Sequence, residues 1–229
     1  MKLISVLFAL AVAKSFEDLV NTTATSNACT VTSNQQGTCD GVAYELWMSG
    51  SGGSCTIKGG GSAAFSAKWS NSGDFLCRAG LGSGSASGIK ASFAYTKSGS
   101  GGGYSFIGIY GWTTNPLVEY YIVDDWFSGG GNSGGSQKGS FTQDGATYNI
   151  WQHTQNNQPS IQGTATFEQF FSIRSSQRTS GDINISAHFD KWSSLGMRMG
   201  SLYEAKLLVE AGGGSGNIDY SSGSVTRGT

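Results

Sequence analysis

From Tyr44 onward, short runs of aromatic and β-branched residues alternate with clusters of glycine and serine. The runs fall at residues 63–69, 89–96, 104–112, 117–123, 147–152, 164–174, 182–189 and 203–210. Each has the length of a strand, and turn signals recur between them, which predicts an all-β sandwich or jelly roll of two packed, curved antiparallel sheets. Residues 99–103 and 128–135 read as loops, because strand patterns continue on both sides of them. The mixed segment 182–192 is expected to hold the one short helix, near residues 187–195.

Alternation inside residues 117–123 assigns faces. Successive strand side chains point to opposite sides, so Val118, Tyr120 and Ile122 face the core while Glu119 and Tyr121 share the other face. Tyr110 and Trp112 have matching parity on the preceding run, and Thr113-Thr114-Asn115-Pro116 turns the two runs into a hairpin. A sheet face carrying a carboxylate, phenols and an indole has the composition of a water-filled cleft for sugar rings. Aromatic faces stack on pyranoses and polar groups address hydroxyls.

Composition narrows the class. A chain of 229 residues fits a single domain. The formal net charge is −1 and no basic patch is present, so nucleic acid is not an expected partner. Residues 1–14 combine Lys2, an apolar run and the small-residue triplet Ala11-Val12-Ala13, a signal-peptide pattern too short to span a bilayer. A secreted, extracellular protein with no membrane partner is expected. Residues 15–43 are polar and read as an N-terminal extension pinned by a disulfide, and residues 44–229 as the folded domain. Four cysteines suggest two disulfides with three pairings open, Cys29–Cys39 and Cys55–Cys77 being the local choice. Their spacings do not suit zinc. Asn21-Thr22-Thr23 and Asn184-Ile185-Ser186 are glycosylation sequons.

Of six glutamates, two lie in apolar company: Glu119 in its strand, and Glu210 at the end of Leu207-Leu208-Val209. Ionised carboxylates are costly to bury, so each placement needs a reason. Alone, either reads equally well as a glutamate on a solvated face.

The run from Tyr110-Gly111-Trp112 through Asn115-Pro116-Leu117-Val118-Glu119-Tyr120-Tyr121 closely resembles the nucleophile signature of family 11 xylanases. Asn157-Gln158-Pro159-Ser160-Ile161 and Gly163-Thr164-Ala165-Thr166-Phe167 resemble that family's thumb hairpin and following strand. Leu202-Tyr203-Glu204 through Val209-Glu210 resembles its acid/base strand. The resemblance runs in order from about Tyr44 to Tyr220.

It implies an endo-β-1,4-xylanase on a jelly roll, with xylan or xylo-oligosaccharides as partner. Two-carboxyl chemistry requires no cofactor or metal, and a monomer is the default expectation because no obvious apolar interface segment is present. Glu119 is then the nucleophile and Glu210 the general acid/base. Tyr110 and Tyr121 surround the nucleophile, with Trp112 on the same face. Trp47 matches a stacking tryptophan, Gln169 a glutamine beside the nucleophile, and Pro159 and Ser160 the thumb tip. Asp74, in Gly73-Asp74-Phe75, matches a position that contacts the acid/base, where aspartate accompanies activity at acidic pH.

The chemistry is also arguable directly. A retaining glycosidase needs two carboxyls about 5–5.5 Å apart, one attacking and one protonating. The charge on Glu119 is expected to raise the pKa of Glu210, so that an ionised nucleophile and a protonated acid coexist.

Four departures from the family pattern stand out. Ala211-Gly212-Gly213 replaces a Gly-Tyr pair after Glu210, which removes an aromatic there. Leu81 and Phe171 stand where tryptophans are common, and Gln155 where arginine is. Two other readings stay open: a β-glucanase on a related jelly roll, and a non-catalytic xylan-binding sandwich.

Overall fold

The computed structural model describes residues 27–127 and 134–228. The signal-peptide reading of residues 1–14 and the Asn21 sequon lie outside them.

Two sheets pack face to face. One has six strands in the order β1 (Cys29–Val31), β4 (Gly53–Ile57), β5 (Phe65–Ser70), β16 (Ser215–Arg227), β7 (Ile89–Gly99) and β13 (Ser180–Asn184). The other runs β10 (Ser136–Gln143), β11 (Ala146–Ser160), β12 (Gly163–Arg174), β9 (Val118–Asp125), β8 (Ser105–Thr114), β15 (Ala205–Gly212), β6 (Asp74–Leu81), β3 (Val42–Met48) and β2 (Gln35–Cys39). A two-residue strand, β14 (Ser201–Leu202), adds to β8. Pairing between these strands is antiparallel except at β9–β12, which is parallel. The described part of residues 15–43 supplies two edge strands, β1 and β2.

The core lies between the sheets. Val118, Tyr120 and Ile122 point into it from β9, with Leu207 and Val209 from β15 and Phe65 and Tyr220 from the other sheet. A second apolar cluster covers the opposite face of the larger sheet and includes Tyr110, Trp112, Tyr121, Phe167 and Phe171. The face assignment made from alternation is the one observed. The larger sheet is therefore apolar on both sides, which a solvated outer face would not be.

The run 182–189 is not one strand. It pairs as β13 only to Asn184, whose side-chain oxygen accepts the Ala187 N–H and caps helix α1 (Ile185–Ser194). Ile185, His188, Phe189 and Trp192 follow at helical spacing and are buried. Phe189 and Trp192 pack on Tyr120 from the core side of β9.

Cys29–Cys39 joins β1 to β2, and Cys55–Cys77 joins β4 to β6. The local pairing is the one formed, and each bond ties one sheet to the other.

Candidate active site

Curvature of the larger sheet makes a cleft of about 920 Å³. All ten residues singled out from the sequence line it: Trp47, Asp74, Tyr110, Trp112, Glu119, Tyr121, Pro159, Ser160, Gln169 and Glu210.

Their placement follows from register. Strand β8 lies between β9 and β15, with Tyr110 opposite Tyr121 and Trp112 opposite Glu119. The hairpin between them turns through a cis Asn115–Pro116 bond. On the other side of β8, Glu210 is opposite Phe106, and across β15 it is opposite Leu76 of β6. Asp74 is opposite Gly212 and so lies diagonal to Glu210 on one face. Gln169 is opposite Glu119 from β12.

Glu119 is buried and fully engaged. Its Oε1 accepts the Tyr110 hydroxyl at 2.5 Å and the Tyr121 hydroxyl at 3.2 Å, and its Oε2 accepts Gln169 Nε2 at 2.6 Å. Each partner is itself held. Trp112 Nε1 donates to the Tyr110 oxygen at 2.5 Å, Tyr121 stacks on Phe171 at 4.6 Å, and Gln155 donates to Gln169 Oε1 at 3.0 Å. Burial raises the Glu119 pKa, while those three hydrogen bonds and the Arg78 cation pull it back toward the ionised form.

Glu210 is also buried, but its Oε2 has no protein hydrogen-bond partner. Its pKa is pushed well above the usual carboxyl range by burial first, then by the charges on Asp74 and Glu119. The Glu119 charge acts in the expected direction, but desolvation is the larger cause, because Glu210 lies on an apolar strand. The Tyr121 hydroxyl, which donates to Glu119 Oε1, also acts on Glu210, lowering its pKa, and so stands between the two carboxyls. Asp74 is half-buried, and burial raises its pKa against hydrogen bonds from Tyr104 and the Phe75 backbone.

Toward one end of the cleft Trp47 is half-buried beside Leu76 and Arg78. At the other side the β11–β12 hairpin brings Pro159 and Ser160 over the opening. Ser160 Oγ donates to Gly163 O at 2.6 Å and accepts the Gln162 N–H, which fixes the hairpin tip.

The sequence reading missed Tyr104, Arg78 and Glu45, which also line the cleft. Arg78 was detectable by the argument used for Glu119, since a charge in Phe75-Leu76-Cys77-Arg78-Ala79 needs a reason as much as a carboxylate does. Tyr104 followed a glycine run and carried no such signal. Among the described residues, no group of three or more His, Cys, Asp or Glu side chains is placed to hold a metal ion, and no helix is long and apolar enough to cross a membrane.

Residues 25–221 match the family described as glycosyl hydrolases family 11. Endo-1,4-beta-xylanase C of Fibrobacter succinogenes is 52% identical over 188 residues, covering 77% of this chain and 30% of that protein. Endo-1,4-beta-xylanase S20 of Neocallimastix patriciarum is 50% identical over 196 residues, 81% of this chain and 58% of that one. Endo-1,4-beta-xylanase A of Bacillus pumilus is 44% identical over 212 residues, 88% of each. The first two relatives are therefore much longer than this chain. The crystal structure of wild-type ENZbleach xylanase superposes with a TM-score of 0.80 at 41% identity, covering 89% of this chain and 88% of that one.

Proposed function

The chain belongs to glycosyl hydrolases family 11, and from that premise we propose that it cleaves internal β-1,4-xylosidic bonds of xylan by retaining double displacement. The observation that carries the reading is the unequal setting of two buried carboxyls in one cleft. Glu119 accepts three hydrogen bonds that favour its charge, whereas Glu210 is held toward its protonated form.

In the first step Glu119 Oε2 or Oε1 attacks the anomeric carbon and forms an ester. The bond to the leaving oxygen breaks, and Glu210 gives that oxygen its proton. Forming the ester removes one of the charges that hold the Glu210 pKa up. Glu210, now ionised, takes a proton from water, whose oxygen attacks the anomeric carbon and releases Glu119. Both carboxyls return to their starting states.

Tyr110 and Tyr121 keep Glu119 oriented, and Trp112 and Gln155 hold Tyr110 and Gln169 in turn. Trp47 supplies a stacking face for a distal xylose, and the Pro159–Ser160 tip covers the chain. Asp74, close to Glu210, confines activity to mildly acidic pH. The two sheets, with β1 and β2 of the N-terminal extension as their edge strands, act as one catalytic jelly roll, and the chain works as an exported monomer, residues 1–14 serving as its leader.

The test is reducing-sugar release from xylan and from carboxymethyl cellulose, with Glu119→Gln and Glu210→Gln beside the parent. Release from xylan alone, lost by about 10²-fold or more in both variants, is expected. Release from cellulose would favour the glucanase reading, and binding without release a non-catalytic one.

A further inference from the structure

Four ionisable side chains on the cleft side of the larger sheet take no part in the double displacement. Arg78 on β6, Glu204, and Lys206 on β15 are 4%, 2% and 5% exposed, and Glu45 on β3 is half-buried. Arg78 Nη2 reaches Glu45 Oε2 at 2.6 Å and Glu204 Oε1 at 3.2 Å, and Lys206 Nζ holds Glu204 Oε2 at 2.6 Å. Two cations and two anions leave the group formally neutral.

Buried ion pairs are a poor source of stability, because desolvation costs several kcal/mol per ion and apolar residues of similar volume do as well or better. The location of this one suggests another use. The Arg78 guanidinium carbon lies 4.3 Å from the centroid of the Tyr110 ring, and Lys206 is the cross-strand partner of Tyr110. Tyr110 is the residue whose hydroxyl approaches Glu119 at 2.5 Å. Among the described side chains lining the cleft, Arg78 is the one permanent cation.

We propose that Arg78 is a positioning residue for the nucleophile. Clamped by Glu45 and Glu204, its planar guanidinium holds the Tyr110 ring by a cation–π contact and places a positive charge behind Glu119. The proposal rests on the reading of Glu119 as nucleophile. Glu210, held toward its protonated form, and Asp74 reach this site from β15 and β6, and Arg78 is the cation that offsets the negative charge on Glu119 itself.

The experiment measures kcat and KM on xylohexaose, with thermal midpoints, for Arg78→Met/Glu45→Gln, Arg78→Gln, Arg78→Lys and Glu119→Gln. The double variant removes one charge of each sign and leaves the Glu204–Lys206 pair intact, so it avoids an unpaired buried carboxylate. Expected is a fall in kcat of about 10- to 100-fold with KM within about threefold, in folded protein, partly restored in Arg78→Lys. Parental kcat in the folded double variant, or in Arg78→Gln should the double variant not fold, overturns the proposal. Should Glu119→Gln keep its activity, the nucleophile reading fails instead, which separates the two.

Discussion

Gly212 lies flat against the ring of Tyr104, so close that a Cβ on it would overlap Cδ1 and Cε1. Gly212 is two residues beyond Glu210, and Tyr104 hydrogen-bonds Asp74. The aromatic that the sequence lacks after Glu210 is thus supplied from the loop before β8, and only a glycine leaves it room. Gly212→Ala should push the half-exposed ring off Asp74, at a cost of about 1–3 kcal/mol. Tyr104→Ala/Gly212→Ala should cost less than the two single changes added together, because the overlap disappears. Urea unfolding of the three variants checks this; strict additivity would mean that the ring and the glycine are independent.

Asp74 and Glu210 carry raised pKa values, and each has one buried oxygen without a protein partner. Asp74 is the less buried and is steadied by Tyr104, so on raising the pH it ionises before Glu210. If its neutral form is the competent one, the alkaline limb of kcat/KM follows the Asp74 carboxyl and activity is confined to acidic pH. Asp74→Asn supplies a permanently neutral group and should move that limb upward by about one pH unit. A limb that moves downward would have the opposite meaning. It would say that the Asp74 anion only props up the Glu210 pKa, and an unchanged profile would remove Asp74 from the chemistry.

Cys55 and Cys77 are fully buried and tie β4 of one sheet to β6 of the other, 22 residues apart. By the chain-entropy argument, opening that loop in the unfolded state costs about 3 kcal/mol. Cys55→Ala/Cys77→Ala should lower the thermal midpoint by roughly 6–12 °C while leaving kcat on xylan at 25 °C near the parental value. Calorimetry of the oxidised parent and the double variant measures it. A midpoint unchanged within a degree would mean that sheet packing alone fixes this corner.

What the sequence made legible was whatever alternation and composition encode locally. The parity of residues 117–123 separated core from cleft, and the Glu119 and Glu210 contexts were visible because charge inside an apolar run is conspicuous. β10 and β16 were not legible: their alternation is diluted by serine, glycine and glutamine, and β16 is further broken by a bulge between Tyr220 and Ser222. Long-range effects were the other loss. That burial outweighs Glu119 in raising the Glu210 pKa and that Tyr104 fills the space over Gly212 depend on strands far apart in sequence, and that Gln155 braces Gln169 depends on the register of the β11–β12 hairpin, which shifts between Gln155 and Gln158. The parallel β9–β12 pairing that brings Gln169 to Glu119 has no local signature either.

His188 puts an acid limit on the fold itself. It is fully buried in α1, packed edge-on against Phe141 and Tyr148 and beside Trp192, and neither ring nitrogen has a hydrogen-bond partner. Burial first, and the Arg178 charge second, lower its pKa to about 3. The unfolded chain takes up a proton near pH 6.5 that the native state refuses until about pH 3. Stability from keeping His188 neutral is therefore full above pH 6.5 and is lost as the pH falls, at about 1.4 kcal/mol per pH unit. Glu119 and Glu210, with raised pKa values, act in the opposite sense and destabilise the fold as the pH rises. His188→Leu should flatten the loss between pH 6 and pH 4, whatever its effect at pH 7. Unfolding free energies across that range decide the matter: parallel curves for parent and variant would mean that some other buried group takes up the proton.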